Sequence, residues 1–433
     1  MPSLRITGGR PLSGTVEISG AKNAASKLIL ASLLTEEPVV LRNVPRQQET
    51  DIAREIVETV GASFAWTGDH DIEIKTPSVR ETSVLGLSRR NRLSILTLAP
   101  LLHRAGEAYV PKVGGDRIGP RPVNFHLDLL RAMGAEIEET AEGYHATAKR
   151  RLRGTLIKLP YPSVGATETA LLAGVLADGR TVIRNAAGEP EVKQLIMLLQ
   201  NMGAQVQIDS GRAIEIDGVD RLSGASATVM PDRLEAASFA CMALGTGGDV
   251  FVRGARQEHL ITFLNAVRQV GGAFEVREDG IRFWTPEPLR SLELETDTHP
   301  GFATDWQQPF VVVLTQSRGT SVVHETVYED RFGYTQTLRE MGADIVVSRK
   351  CLGETPCRFR GGNFRHSAIV RGPSPLRAAD IVVPDIRAGL AFVAAALVAD
   401  GASTLTGLEH LDRGYERLEE KLASIGAEIV REV

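Results

Sequence analysis

The sequence predicts an α/β protein made of six copies of one small unit, three in each of two domains. Three observations carry this expectation. A Gly-Ala or Gly-Gly step recurs six times, at Val60-Gly61-Ala62, Met133-Gly134-Ala135, Met202-Gly203-Ala204, Val270-Gly271-Gly272, Met341-Gly342-Ala343 and Ile425-Gly426-Ala427. The spacing, about 70 residues, is longer than the common solenoid repeats and suits α/β units that share a core. Around each step the same order returns: apolar helix, Gly-containing turn, short strand, amphipathic helix, then the step into another strand. Finally, 433 residues exceed one ordinary core, so two domains are expected.

The first helix of each copy is apolar on most faces and rich in Ala: 24–34, 93–102, 169–177, 234–244, 309–314 and 388–398. A helix that is apolar all round is buried all round. The second helices carry one apolar stripe. From Tyr415 to Ile425 the apolar residues fall at Tyr415, Leu418, Leu422 and Ile425, with charge on the other face. Short runs such as Val39-Val40-Leu41, Thr181-Val182-Ile183 and Asp249 to Val252 read as strands bounded by turns. The economical arrangement places sheets around buried helices. Leu4 to Thr7 precedes the first copy and is assigned to the second domain. The domains are then 22–230, and 1–21 with 231–433. The chain crosses between them near Gly20-Ala21-Lys22 and near Met230-Pro231, and two crossings make a hinge with a cleft suited to a ligand.

Composition excludes several classes. The net charge of −5 and the lack of a basic arm argue against a nucleic-acid binder. A mean hydropathy of −0.06 fits a globular protein, and no run approaches the ~20 apolar residues of a membrane span. The start, MPSLRITGG, has no apolar signal core, so the cytoplasm is the expected location. Three cysteines make no disulfide framework. Cys241 sits in an apolar helix and reads as core. Cys351 and Cys357, with His366 nearby, match no common zinc spacing and read as ordinary thiols in an insertion.

Polar residues break the pattern at the heads of the buried helices: Lys22-Asn23, Arg92, Thr167-Glu168, Asp232-Arg233, Asp305 and Asp385 to Arg387. For each alone, a cap or a local ion pair is as good a reading as a ligand contact. As a group they share one structural position, and helix starts with added Arg or Lys suit phosphate and carboxylate. One segment has no counterpart in the other copies, Gly114-Gly115-Asp116-Arg117-Ile118-Gly119-Pro120-Arg121-Pro122-Val123. Its glycines and prolines describe an ordered loop. The stretch 112–122 is expected to act as a mobile lid carrying an acid and basic anchors.

These motifs carry a resemblance. Ser19-Gly20-Ala21-Lys22-Asn23-Ala24, the loop just quoted, Pro162 to Glu168, Asn185 to Glu191, Pro300 to Asp305, Glu329-Asp330-Arg331-Phe332, Asp385 to Ala388 and Leu411 to Glu416 appear in order along essentially the whole chain. The sequence resembles the UDP-N-acetylglucosamine enolpyruvyl transferase (1-carboxyvinyltransferase) family. The resemblance implies a two-domain inside-out α/β barrel of six βαβαββ-type units, the fold shared with 5-enolpyruvylshikimate-3-phosphate synthase. It also implies transfer of the enolpyruvyl group of phosphoenolpyruvate to the 3′-hydroxyl of UDP-N-acetylglucosamine, with release of phosphate. That reaction commits the sugar nucleotide to peptidoglycan synthesis, on which cell shape and division depend. No metal or organic cofactor is implied. Partners are small molecules, with neither nucleic acid nor membrane, and the expected assembly is a monomer or weak homo-oligomer.

Carried over by motif, Lys22, Arg121 and Arg413 resemble the family's phosphate clamp, and Arg331 and Arg387 its carboxylate-binding arginines. Asn23 is similar to a residue touching both substrates. Asp305 matches the residue at the sugar 3′-hydroxyl, the candidate base. Arg92, Arg121, Pro122, Val123, Asn124, Phe125, Tyr161, Pro162, Ser163 and Val164 align with contacts to uridine and diphosphate, and Val327 with a sugar contact through its backbone. Most of the family carries Cys where Asp116 stands. An acid there can still donate the proton, but the nucleophilic thiolate is lost, so resistance to alkylating epoxides such as fosfomycin is expected. The alternatives are a paralogue with another nucleotide or nucleotide-sugar acceptor, and a non-catalytic relative that keeps the fold.

Overall fold

In the computed structural model the described residues are 2–88, 91–114, 122–209, 211–354 and 357–432. They form two compact units, one of residues 20–114 and 122–230, the other of 2–19 and 231–432. Each unit has its own apolar core.

The six repeated steps have one local cause. Gly61, Gly134, Gly203, Gly271, Gly342 and Gly426 all have φ between 81° and 119°. This left-handed conformation ends a helix at little cost only in glycine. The residue after each then donates its N–H back to the carbonyl five positions earlier: Ala62 to Val57, Ala135 to Leu130, Ala204 to Leu199, Gly272 to Val267, Ala343 to Leu338 and Ala427 to Leu422, at 2.9–3.1 Å. The bond satisfies a helix-end carbonyl and turns the chain into the next strand.

The inner helices are Lys22–Ala31, Leu98–Ala105 and Val164–Gly174 in the first unit, and Arg233–Gly245, Thr304–Thr315 and Ile386–Val398 in the second. Leu98–Ala105 is entered through a 3-10 turn, Leu93–Thr97. The fifth begins ahead of the apolar run that marks it in sequence and holds Pro309 inside it. Pro309 has no N–H, so the Asp305 carbonyl lacks its helical partner.

Among the described residues six sheets accompany these helices, five of four strands and one of three. The sheet Leu156–Lys158, Arg180–Arg184, Ala213–Asp217, Gln205–Asp209 shows the plan. An edge strand pairs in parallel with the strand after the inner helix, which pairs with an antiparallel hairpin. In the three-stranded sheet only a bridge, Ser83 to Tyr109, marks the parallel edge.

Three departures from chain order close the repeats. Ser3–Thr7 lies between Ala402–Thr406 and Glu428–Glu432, with Leu4 opposite Leu405 and Arg431, and completes the sixth copy. Ser13–Glu17, which leads into the Lys22 helix, pairs instead with Asp249–Arg253. Ala225–Thr228, which leads toward the Arg233 helix, pairs with Val39–Arg42.

The helix expected over 415–425 begins only at Leu418. Tyr415 is extended and Arg417 has φ 50°, which separates it from a short helix Glu409–Gly414. The break turns the Tyr415 hydroxyl inward, where the Arg387 guanidinium donates to it at 2.8 Å. The stripe itself survives, for Tyr415, Leu418, Leu422 and Ile425 are all buried. Cys241 is buried in the core. Among the described residues no helix is long and apolar enough to cross a membrane.

Candidate active site

In the unit of residues 231–432, the charged helix heads form a connected set. Asp305 sits in the first turn of its helix, whose preceding residue, Ala303, supplies no side-chain cap. Its Oδ1 accepts from Arg331 Nη2 at 2.5 Å and its Oδ2 from Arg387 Nε at 3.0 Å. Both guanidinium groups are almost wholly buried, whereas Asp305 keeps part of its surface exposed. Two buried cations therefore share one carboxylate. Burial alone would pull the Arg387 guanidinium down, but the Tyr415 oxygen and the Asp305 and Asp232 carboxylates outweigh it and leave its pKa above the ordinary value. Burial likewise pushes the Tyr415 phenol up.

Arg387 is positioned by its own helix start. Asp385 accepts from the backbone N–H groups of Arg387 and Ala388 at 2.9 and 3.0 Å, an N-cap bond. Asp232 does the same for Leu234 and Glu235. Arg233, next to it, lies over the Trp306 ring at 5.3 Å. Arg331 is steadied by Gln308, whose amide, turned to satisfy both partners, accepts from Nε at 2.6 Å and Nη2 at 3.1 Å and donates to the Thr304 carbonyl.

The buried Glu325 joins this helix head to the Val327 segment. One oxygen accepts from Thr304 and Gln307 at 2.8 and 2.9 Å, the other from the backbone N–H of Val327 and Tyr328 at 2.8 and 3.0 Å. Four donors fill the sites of one carboxylate. The Val327 carbonyl in turn accepts from the Arg358 guanidinium. Arg413 is half-buried at the end of Glu409–Gly414.

In the other unit Lys22 opens its helix and is buried, with Asn23 beside it, behind Ala21, which offers no side-chain cap. Asn91 and Arg92 hold both ends of the loop singled out in sequence. The Asn91 carbonyl accepts from the Gly114 N–H at 3.0 Å, and Arg92 Nη2 donates to the Pro122 carbonyl at 3.1 Å. Asp116 and Arg121 lie outside the described residues. Val123 precedes the helix Asn124–Ala132, which carries Asn124 and Phe125. Tyr161 and Pro162 lead to Ser163, which caps the helix beginning at Val164 by accepting from the Ala166 N–H. The two segments meet through His126, whose Nδ1 lies 2.7 Å from Thr169 Oγ1. Burial, with the charge of Arg92, lowers the His126 pKa to about 3, so the ring is neutral.

The structure thus brings Asp305, Arg331 and Arg387 into direct contact and ties Val327 to the same helix head. Within the other unit it joins Arg92 to Pro122. Sequence reasoning missed Gln308, Glu325 and His126 as positioning residues. Gln308 had a signal, an amide pair beside Asp305. A buried glutamate at the end of a strand had none.

The EPSP synthase (3-phosphoshikimate 1-carboxyvinyltransferase) family pattern matches residues 6–422. A UDP-N-acetylglucosamine 1-carboxyvinyltransferase of Protochlamydia amoebophila is 50% identical over 99% of this chain and 94% of its own length. One from Zymomonas mobilis is 43% identical over 100% and 99%. Among solved structures, the enolpyruvyl transferase NikO from Streptomyces tendae superposes with a TM-score of 0.87 at 25% identity, covering 99% of this chain and 98% of that one. EPSP synthase from Acinetobacter baumannii shares the fold, with a TM-score of 0.75 at 19% identity and full coverage of both chains. With a match across nearly its whole length and relatives this similar, the chain belongs to the EPSP synthase family of enolpyruvyl transferases.

Proposed function

We propose that this protein transfers the enolpyruvyl group of phosphoenolpyruvate to the 3′-hydroxyl of UDP-N-acetylglucosamine and releases phosphate, as the committed step of peptidoglycan synthesis in the cytoplasm. The observation that carries the reading is the Asp305 carboxylate held between two buried arginines, in a chain 43–50% identical to enzymes named for this reaction.

In the addition step the hydroxyl oxygen bonds to C2 of phosphoenolpyruvate and its proton passes to Asp305. C3 takes a proton from Asp116 and becomes a methyl group. In the elimination step the C2–O bond to phosphate breaks, the methyl group returns one proton to Asp116 as the double bond is restored, and the proton held by Asp305 leaves with the phosphate. Lys22, Arg121 and Arg413 bind the phosphate; Arg331 and Arg387 bind the carboxylate. The Asp305 carboxylate lies between the two arginines proposed to bind that substrate group, and two buried guanidinium groups without an anion would be costly. Substrate entry then loosens Asp305 from one arginine and frees an oxygen to accept the hydroxyl proton. Asp116 in place of the usual thiol supports resistance to fosfomycin.

The test is phosphate release from phosphoenolpyruvate with and without UDP-N-acetylglucosamine. Release only with this sugar nucleotide is expected. No acceptor-dependent release at any pH would end the proposal, and release with a different nucleotide alone would move the assignment to a paralogous transferase.

A further inference from the structure

The unit of residues 231–432 holds a second cluster of reactive side chains, distinct from the charged helix heads. His324, Cys351, Cys357 and His366 each present one ligand atom, and all four atoms lie within 4.8 Å of one another. We propose that these four side chains bind one zinc ion, which fastens the insertion between Asp344–Ser348 and Ser367–Gly372 to the strand Gly319–His324.

The distances are close to those of a tetrahedral site. Zn–S near 2.3 Å and Zn–N near 2.0 Å put ligand atoms roughly 3.3–3.8 Å apart. Cys351 Sγ lies 3.4 Å from Cys357 Sγ and 3.1 Å from His366 Nε2. The sulfur separation is far beyond a disulfide bond of about 2.05 Å.

Both imidazoles are turned to offer Nε2. Ser367 Oγ donates to the Lys350 carbonyl at 2.8 Å, so it must accept at its 2.8 Å contact with His324 Nδ1. That places the His324 proton on Nδ1 and a lone pair on Nε2. His324 is fully buried, and its Nε2 is aimed into the cluster with no hydrogen-bond partner. His366, also fully buried, donates from Nδ1 to the Phe364 carbonyl at 2.8 Å, which leaves its own Nε2 lone pair facing Cys351. Carbonyl or hydroxyl partners on the far nitrogen are what orient metal-binding histidines. An orphaned imidazole nitrogen at full burial is otherwise costly.

The surroundings bring the insertion close. A side chain at Gly353 would place Cβ 2.4 Å from His324 Cδ2, so the chain passes over the ring only as glycine. Phe359 covers the His366 ring edge-on at 5.8 Å. Binding would release two thiol protons to solvent, and two thiolates would neutralise Zn²⁺, so no net charge is buried. The same insertion supplies Arg358, which donates to the Val327 carbonyl. The proposed role is therefore structural support for that segment. Spacing along the chain hides the site, because the fourth ligand comes from a strand far upstream.

The test uses the full chain, purified without chelator and under reducing conditions, with metal content measured by mass spectrometry of the elements. One zinc per chain is expected, falling below about a tenth in the Cys351→Ser/Cys357→Ser variant. Cobalt-substituted wild-type protein should show thiolate-to-cobalt charge transfer and the strong visible bands of tetrahedral geometry, a readout that needs no variant to fold. Zinc-free protein that takes up none on dialysis against the ion would overturn the proposal. So would an octahedral cobalt spectrum, or a Cys351–Cys357 disulfide in the freshly purified chain.

Discussion

Two buried helix heads, one in each unit, each carry a carboxylate and treat it in opposite ways. Asp305 meets two arginines and fills both its oxygens with charge-assisted bonds. Glu168, in the first turns of Val164–Gly174, is almost fully buried and has acidic neighbours. Burial pushes its pKa up from 4.5 to about 7; Lys27 pulls it down, while Glu191 and Glu189 add to the rise. One carboxylate is held ready as an anion and the other near neutrality. The difference teaches that a charge at a helix head is not a sign of one role. What faces it decides whether the group stores negative charge or a proton.

Removing the first carboxylate tests this most severely. Asp305→Ala leaves Arg331 and Arg387 buried without their shared anion. Acceptor-dependent phosphate release should fall by at least ~100-fold through loss of the base. Stability should fall by roughly 3 kcal/mol, read by chemical denaturation, because buried charges lose their partner. Unchanged turnover would remove Asp305 from the chemistry.

The proposed acid, Asp116, is next. Asp116→Asn should cut turnover by at least ~100-fold, whereas Asp116→Cys should retain turnover and become sensitive to fosfomycin. Rapid inactivation of the unmodified protein by the epoxide would contradict the reading of this position.

Glu168 sharpens the comparison from the other side. Its folded pKa of about 7 lies above the ordinary 4.5, so the folded chain binds the extra proton between these values. The associated stability is complete below about pH 4.5 and is lost as pH rises through about 7. Glu168→Gln removes that loss. The variant should match the parent at pH 4.5 and exceed it by up to roughly 3 kcal/mol at pH 8, by the 1.36 kcal/mol carried by each pKa unit. Parallel stability curves for the two proteins would break the comparison.

The smallest effect belongs to Gly165, in the same helix as Glu168. A Cβ at Gly165 would lie 2.9 Å from His126 Cε1, so Gly165→Ala should cost about 1–2 kcal/mol in thermal or chemical denaturation as the ring shifts.

Much of the fold is legible in the sequence. The six Gly steps, the Ala-rich inner helices and the single apolar stripe of Tyr415 to Ile425 follow from local preference and periodicity. The start of the last helix was misplaced because Tyr415 turns inward to meet Arg387, which lies in another element. The heads of the inner helices were recognised as unusual, and Asp305, Arg331 and Arg387 were named from motifs. That a single carboxylate bridges both arginines was not legible, nor was Glu325 as the brace of Val327. Both depend on side chains far apart in sequence.

By itself the sequence determined the repeat, the burial of its helices and the family. Helix ends, amphipathic stripes and motifs are written in neighbouring residues, where sterics and hydrogen bonding act over a few positions. Only the tertiary structure decided which strands close each sheet. Ser3–Thr7 completes the last copy, and Ser13–Glu17 and Ala225–Thr228 pair away from the helices they lead into. Only it decided that His324 meets Cys351, Cys357 and His366. Strand pairing uses backbone groups that every residue shares, so its partners are set by the packing of the whole unit and leave little trace in local sequence.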